Sequence, residues 1–469
     1  MDKNKIDNIF DLQIKNTKIL RATSYKDRIE KIKSIIDWIY NNRLSIKNAL
    51  MEDFSKPYIE TDITEIWVTI DLGKDVIRKL KGWMKPKRVP SSLPVLFSNS
   101  YIEHYPKGVS LIIAPWNYPF QLCIAPLIYS IAAGNCCVIK PSESTPKTSK
   151  LVSDMIKELF KEEEIAVIEG DEKEAKLLLE KPFNHIFFTG SDKIGAKIVE
   201  ASSKHLSSVT IELGGKSPVI IDKGYSLDRV VDRLVATKFI NLGQTCIAPD
   251  YVIVHESNFQ LLTDNLIKKI KSVYGDTYEQ QKESKSLARI VNDAHFSRLT
   301  NIIEDENCNV LYGGEYDKDS RFISPTVVDM RGNETNISSQ EIFGPIIPIV
   351  SYSTDEDLDN LLYRVGNPLA LYIFSKKKKF ISMIKSTTSS GAVCVNDIGA
   401  QFINHNLPFG GVMSSGAGRY HGFSGFKEFS NSRSIMIQSR INFLNMLSPP
   451  YSKISQRIVN ILIWFYKKI

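Results

Sequence analysis

Apolar residues recur at three- and four-residue spacing from Ile6 to about Lys81, with Ile29, Ile32, Ile35, Ile36 and Ile39 on one stripe. This spacing predicts helices and no strand. From Gly82 to Tyr105 the pattern breaks into short Pro- and Ser-rich pieces such as Val89-Pro-Ser-Ser-Leu-Pro-Val-Leu-Phe, which read as an arm or crossover. Between Gly108 and Leu213 strand and helix patterns alternate. Strands are expected at Val109–Ala114, Cys136–Lys140, Ala166–Glu169, His185–Thr189 and Val209–Leu213. Helices are expected at Phe120–Ala133, Thr145–Phe160, Glu172–Leu179 and Lys193–Ser203, the second with Thr145 as N-cap and Pro146 at its first position. Apolar strands separated by crossover helices imply a parallel sheet, whose ligands sit at the carboxyl ends of the strands.

A second α/β series starts at Val219 and runs to about Asn396, with strands expected at Tyr251–His255, Thr326–Asp329, Ile346–Tyr352, Leu371–Ser375 and Ala392–Asn396. Beyond a Gly-rich loop, Pro408–Gly422, the alternation Phe426–Gln438 has strand character and is a candidate to pair with the early arm. The tail follows Pro449-Pro450 as an amphipathic helix. Ile454, Ile458, Ile461, Leu462, Phe465 and Ile469 share its apolar face, and Lys453, Arg457, Lys467 and Lys468 flank it.

Composition narrows the class. A chain of 469 residues is too long for one core, and 43% hydrophobic with 24% charged residues reads as soluble and globular, in two or three domains. The net charge of +7 comes largely from clusters such as Lys376–Lys379, which suit a solvated helix start and not a nucleic-acid stripe. Cys123, Cys136, Cys137, Cys246, Cys308 and Cys394 form no framework, as expected in a reducing compartment. CxxC and HxxxH spacings do not occur, so no metal site is expected. The opening Met1-Asp-Lys-Asn-Lys has no apolar signal segment, and the run Gln121–Ala133, broken by Pro126, is too short to cross a bilayer. A cytoplasmic protein is expected, with Gln121–Ala133 as a buried core helix.

Candidate chemistry gathers at predicted strand ends. Cys246 sits in Ile240-Asn-Leu-Gly-Gln-Thr-Cys-Ile-Ala-Pro-Asp250, among small and polar residues, either as a reachable thiol or as one more buried small hydrophobe. Asn117, in Pro115-Trp-Asn-Tyr-Pro119, either closes a loop or offers its amide to a developing oxyanion. Lys140 and Glu143 form either a surface pair or a grip on ribose and phosphate. Gly190, Ser191 and Gly195 open a strand–turn–helix whose N–H groups suit a phosphate, although a glycine there often only closes the turn. Glu212 ends an apolar strand before Gly214-Gly215-Lys216; burial would raise its pKa toward that of a general base, and the alternative is a structural pair with Lys216. In Glu341-Ile-Phe-Gly-Pro345, Phe343 suits stacking on a planar ring and Glu341 suits a sugar. Gly416-Ala-Gly-Arg-Tyr-His-Gly422 imitates a dinucleotide fingerprint but has the wrong spacing and no following βαβ unit, so it is rejected as a cofactor loop.

In their order and separations, Pro115–Pro119, Lys140–Glu143, Phe188–Ser191, Glu212–Pro218, Gly243–Cys246, Glu341–Pro345 and Pro408–Gly411 resemble the aldehyde dehydrogenase superfamily. The short N-terminus, Gly243–Asp250, His405–Gly411 and the tail from Ser448 look most like its class 3 (fatty or aromatic) members. The resemblance implies an α/β fold with two parallel-sheet α/β domains, a modified Rossmann cofactor domain and a catalytic domain, plus a small β oligomerisation arm. The expected division is 1–81 and 106–212 for NAD(P) binding and 213–396 for catalysis. Residues 82–105 and 423–439 are expected as bridging strands, and 440–469 as a tail helix.

Cys246 matches the family's nucleophile, Asn117 its oxyanion amide and Glu212 its general base. Lys140 and Glu143 match the residues on the adenosine ribose, Gly190, Ser191 and Gly195 the modified dinucleotide turn, and Glu341 and Phe343 the nicotinamide-ribose clamp. The implied reaction is oxidation of a medium- or long-chain aliphatic or aromatic aldehyde to the acid, with NAD as cofactor and NADP as the alternative. Two other readings stay open: a CoA-acylating dehydrogenase, and a catalytically silent relative that binds. Met413 departs from the family, which usually has Gly at that position. A homodimer is expected, with the tail helix over the substrate entrance or the dimer partner, as a peripheral membrane contact, or as a plain core helix.

Overall fold

The computed structural model describes residues 3–92, 95–331, 340–440 and 443–467. Leu93 and Pro94 of the expected arm, and Lys468 and Ile469 of the tail, lie outside them. Helices Lys3–Arg21, Tyr25–Asn41, Arg43–Phe54 and Val68–Trp83 account for the N-terminal stripe. Between the last two, Asp62–Trp67 forms a π-helical turn, which an apolar period of three and four does not register.

The first α/β series forms a six-stranded sheet in the spatial order Gly416–Ala417, Ser208–Glu212, His185–Thr189, Val109–Ile113, Cys136–Lys140, Ile165–Val167. All its pairings are parallel except that of Gly416–Ala417, which runs antiparallel along Glu212 and Ile211. The rejected Gly-rich segment is therefore a sheet edge and not a βα turn. Helix Gln121–Ala133 is buried along its whole length, Pro126 included.

The second series forms a seven-stranded sheet in the order Asn309–Tyr312, Thr326–Asp329, Ile346–Tyr352, Tyr251–His255, Pro218–Ile221, Ala370–Phe374, Ala392–Val395. It is parallel except at the edge strand Asn309–Tyr312. One continuous apolar core runs from Ile112 and Phe187 in the first sheet to Val219 and Val252 in the second. The arm is a three-stranded antiparallel sheet, Lys87–Val89, Asn99–Pro106 and Ser430–Ile437, with Ser430 opposite Pro106 and Ile437 opposite Asn99.

Two local expectations shift. Thr145 stands at the N-cap position of helix Pro146–Leu159, but its hydroxyl makes no cap bond. The Asp53 carboxylate, delivered by a distant helix, accepts the Lys147 and Thr148 N–H groups at 3.0 and 2.9 Å. The expected strand from Phe426 begins at Ser430, because Gly422–Glu428 is helical. Phe426 and Phe429, three apart, are both buried there, and a Cβ on Gly425 would meet the Tyr129 ring, so this helix lies close against Gln121–Ala133. In the tail helix Lys453–Lys467, Ile454, Ile461, Trp464 and Phe465 are exposed. Among the described residues no helix is long and apolar enough to cross a membrane.

Candidate active site

Cys246 lies in a loop whose shape is forced just upstream. After helix Leu227–Lys238 the chain makes a tight turn, Ile240–Gly243, in which Asn241, Leu242 and Gly243 have φ of 54°, 51° and 78°. Two non-glycine residues in the left-handed region are costly and persist only when their surroundings over-determine them. Here Gln244 supplies the restraint: its Nε2 donates to Asn241 O at 2.9 Å and Arg289 O at 3.0 Å, and its Oε1 accepts from Val291 N at 3.1 Å. Glycine is required at 243 because a Cβ there would run into the carbonyl of Gly344. Downstream, Tyr372 Oη donates to Ile247 O at 2.6 Å, and the buried Lys238 Nζ donates to Pro249 O at 2.8 Å.

The Asn117 loop leaves the carboxyl end of strand Val109–Ile113 and meets this turn directly. Asn117 Nδ2 donates to Gln244 O at 3.2 Å, and Asn241 Nδ2 donates to Asn117 O at 2.8 Å. Tyr118 Oη and Thr245 Oγ1 lie 2.6 Å apart. The amide of Asn117 thus does close the loop, with one of its two hydrogens; the other is free of this bond.

Glu212 ends strand Ser208–Glu212, two places along the same sheet, and is 3% exposed, with Oε1 unpartnered. Burial pushes its pKa well above the carboxylate range, against the opposing charge of Arg419. Lys216 does not pair with it: Lys216 Nζ goes to Asp250 and to Gln340 O, the latter at 3.0 Å. The structural alternative for Glu212 is therefore not what the geometry shows. Cys246 is half-buried. Enclosure, then the carboxylates of Glu212 and Glu341, push its thiol up, while the Cys246 and Ile247 N–H groups pull it down.

The other expected residues emerge on the same rim. Ile113 is in register with Lys140, and Gly190 N donates to Glu212 O at 3.0 Å, so four neighbouring parallel strands deliver their ends together. Lys140 is buried, and its Nζ donates to Pro141 O at 3.1 Å and to the exposed Glu143 at 2.9 Å. Ser191 stands before helix Asp192–Ser203 without capping it, which leaves the helix's first N–H groups uncapped by that hydroxyl. A Cβ on Gly195 would come 2.9 Å from Leu213 Cδ2, so this glycine seats the helix on the sheet.

Across the site, the Glu341 carboxylate rests where a side chain on Gly214 would lie. Its pKa is raised to about 8, by burial first and then by Asp250, against Gly215 N–H, Lys216 and Arg298. Phe343, with φ 49°, sets its ring edge-on to Trp116 at 5.3 Å, next to Asn117. Asp250 joins the two loops by accepting Ile342 N at 2.8 Å. Met413, standing where a Gly is usual, keeps a left-handed backbone at φ 51°, with its side chain exposed. The loop shape is thus retained at a cost of about 1–2 kcal/mol. Sequence reasoning missed Asn241, Gln244, Tyr118 and Asp250 as parts of the site, although three of them lie in the Ile240–Asp250 stretch and its neighbour. Among the described residues no group of His, Cys, Asp or Glu could hold a metal ion.

The fold is of the α/β class, with a strand-end loop carrying an amide and a buried strand-end carboxylate beside the loop that carries a thiol. The chain belongs to the aldehyde dehydrogenase family, whose model matches residues 1–435. It is 39% identical over 436 residues to the 4,4'-diaponeurosporen-aldehyde dehydrogenase of Staphylococcus aureus (strain NCTC 8325 / PS 47), covering 93% of this chain and 94% of that one. To aldehyde dehydrogenase family 3 member B1 of Rattus norvegicus it is 37% identical over 448 residues, covering 94% and 93%. The structure superposes on a substrate-bound state of Staphylococcus aureus AldH with a TM-score of 0.93 at 37% identity, covering 97% of this chain and 99% of that one. Solved structures of the same fold carry NAD+ in one case and NADP+ in another. The chain is an NAD(P)-dependent aldehyde-oxidising enzyme.

Proposed function

We propose that the chain converts an apolar aldehyde, medium- or long-chain aliphatic or aromatic, to its carboxylic acid through Cys246. The observation that carries this reading is the buried Glu212 carboxylate, its Oε1 unpartnered, electrostatically coupled to a thiol whose loop is bonded to Asn117. Attack of the Cys246 thiolate on the carbonyl carbon forms a C–S bond and an oxyanion, which the free Asn117 N–H and the Cys246 backbone N–H stabilise. NAD(P), when bound, supplies the acceptor for the hydride that leaves this carbon. The remaining thioester is cleaved by water, from which Glu212 takes a proton, and the thiol is regenerated as the carboxylate departs. A base at Glu212 favours hydrolysis over acyl transfer to CoA.

The cofactor fits the residues present. The buried Lys140 cation and the exposed Glu143 would hold the adenosine ribose, and the helix start after Gly190-Ser191 lies on the same rim. Glu341 and Phe343 would hold the nicotinamide ribose, Glu341 lying against the glycine pair 214–215. We assign residues 1–81 and 106–212 to the cofactor, 213–396 to catalysis, and the arm and tail to a homodimer. The apolar substrate class is supported by similarity to the family 3 relative and to the S. aureus enzyme named for 4,4'-diaponeurosporen-aldehyde.

The test is a steady-state panel of short, long and aromatic aldehydes with NAD and with NADP, each with and without CoA. The expected outcome is a higher kcat/KM for long or aromatic aldehydes, independent of CoA. A rate that depends on CoA, or a preference for the shortest aldehydes, would overturn the reading.

A further inference from the structure

Three ionisable side chains from the N-terminal segment, Lys56 in the turn after helix Arg43–Phe54 and Glu60 and Glu65 in the helical turns that follow, are enclosed beneath the site: Lys56 and Glu65 at 0% exposure and Glu60 at 8%. Burying charges costs several kcal/mol per ion, about the size of the whole margin of stability, so their partners are informative. Lys56 Nζ pairs with Glu65 Oε1 at 2.8 Å and sits 3.9 Å from the centroid of the Tyr118 ring. Glu65 Oε2 accepts Gln121 N at 2.8 Å, just past the Asn117 loop. Glu60 Oε1 accepts Asn241 N at 2.8 Å. All three therefore bear on the two loops that carry Asn117 and Cys246.

The π-helical turn explains how one short segment does this. Five residues apart on a regular α-helix, Glu60 and Glu65 would point about 140° apart. The wider turn over Asp62–Trp67 brings Glu65 round toward the side of Glu60. The bond from Glu60 lands on Asn241, the first of the three left-handed residues. The Asn241 side chain in turn donates to Asn117 O at 2.8 Å and Gln244 O at 3.1 Å. That single residue is the only one bonded at once to the buried carboxylate, the Asn117 loop and the nucleophile turn among the described hydrogen bonds.

We propose that Glu60 is a positioning residue for catalysis: by holding the Asn241 N–H it fixes the left-handed turn that sets the Cys246 thiol and backbone N–H against the Asn117 amide. It touches no reacting atom. The proposal rests on Cys246 being the nucleophile. Failure of iodoacetamide to label Cys246 in the unmodified enzyme would defeat that reading and is scored separately.

The test uses variants of equal bulk in the full chain. Glu60→Gln keeps an acceptor for Asn241 N–H, and Glu60→Met does not. The Gln variant is expected to keep kcat within about twofold. The Met variant is expected to lose about tenfold to a hundredfold in kcat with the KM for NAD(P) unchanged, since small misplacements of reacting groups cost this much. Its alkylation profile at Cys246 is expected to shift to higher pH, because the Cys246 and Ile247 N–H groups no longer face the sulfur. A purely structural role would lower the melting midpoint of the Met variant and leave kcat and the alkylation profile of the folded protein in place, and that result overturns the proposal. So does a folded Gln variant that loses tenfold. Should the Met variant not fold, Asn241→Gly decides: it keeps the N–H and the positive φ but drops both side-chain bonds. Full activity supports the proposal, because the Glu60 bond to the residue 241 N–H is kept; a tenfold loss in kcat would assign the turn to the Asn241 side-chain bonds and refutes it.

Discussion

Replacing Glu212 by Gln perturbs two steps of the reaction in opposite directions. The carboxylate is buried with its Oε1 unpartnered, and its charge raises the pKa of the Cys246 thiol. Gln keeps the volume, removes the base and removes that charge. Loss of a general base costs about 10²–10⁴ in rate, or about 3–5 kcal/mol of barrier on the hydrolytic step. Thiolate formation instead becomes easier, because one of the two carboxylates that oppose it is gone. The expected trace is a rapid burst of reduced cofactor approaching one equivalent per chain, then a steady state at least a hundredfold slower than before. In a separate assay without aldehyde, alkylation of Cys246 by iodoacetamide should reach half its limiting rate at a lower pH than in the unmodified enzyme. The pair of readouts matters, since a general loss of structure would slow both. An unchanged steady-state rate removes Glu212 as the base. A slow steady state with no burst, together with an unmoved alkylation profile, would mean that Glu212 supports the fold near Cys246 and not the hydrolysis.

Asn117→Ala should lower kcat by about 10²–10³, the usual loss for one oxyanion donor, while the KM for NAD(P) holds; near-normal turnover would dismiss the role. Stability should depend on pH through Glu60, whose pKa rises from 4.5 to about 7, by burial first, against Lys56 and the Asn241 N–H. A raised folded pKa contributes stability that is full below 4.5 and is lost as pH climbs through about 7. The contribution is on the order of 3 kcal/mol at most, so melting midpoints of Glu60→Gln should gain on the unmodified protein between pH 5 and 8, and parallel curves would contradict the shift. Truncation after Pro450 removes the exposed apolar face of the tail helix, and sedimentation should show a weaker dimer. An unchanged dimer whose full-length form alone binds anionic liposomes would assign the tail to a membrane surface instead.

The sequence made the two sheets legible for a physical reason: buried parallel strands must be nearly continuous apolar runs, and the helices between them must be amphipathic. Val109–Ile113, Cys136–Lys140 and His185–Thr189 are such runs, and their ends marked where Asn117, Lys140 and Gly190 would emerge. Residues 426–428, the end of helix Gly422–Glu428, read as strand because Phe426 and its neighbours alternate over a stretch too short to separate a period of two from one of 3.6. The Asp53 cap on helix Pro146–Leu159 was invisible, since a local motif search looks a few residues away and this bond crosses 94 positions.

The site was legible where the chemistry is borne by unusual residues at strand ends and illegible where it is borne by support. Glu212 stood out as an acid closing an apolar strand, but a structural pair with Lys216 fitted that position too, and the resemblance to the family assigned its role. Glu60 and Glu65 could not, because charged residues on a helix normally mark its solvated face, and only the π-helical turn and the loops above them turn that face inward; Lys56, in the turn before them, reads as an ordinary loop cation. Asn241 was hidden for the complementary reason: its left-handed backbone is imposed by Gln244 and Glu60, and neither restraint has a signature in the residue itself. The residues that react announce themselves by type, whereas those that hold them are defined by contacts between the N-terminal helices, the first sheet and the second. A substitution in the helices around Lys56–Glu65 should therefore reach kcat before it reaches cofactor binding, even though no residue there borders the substrate.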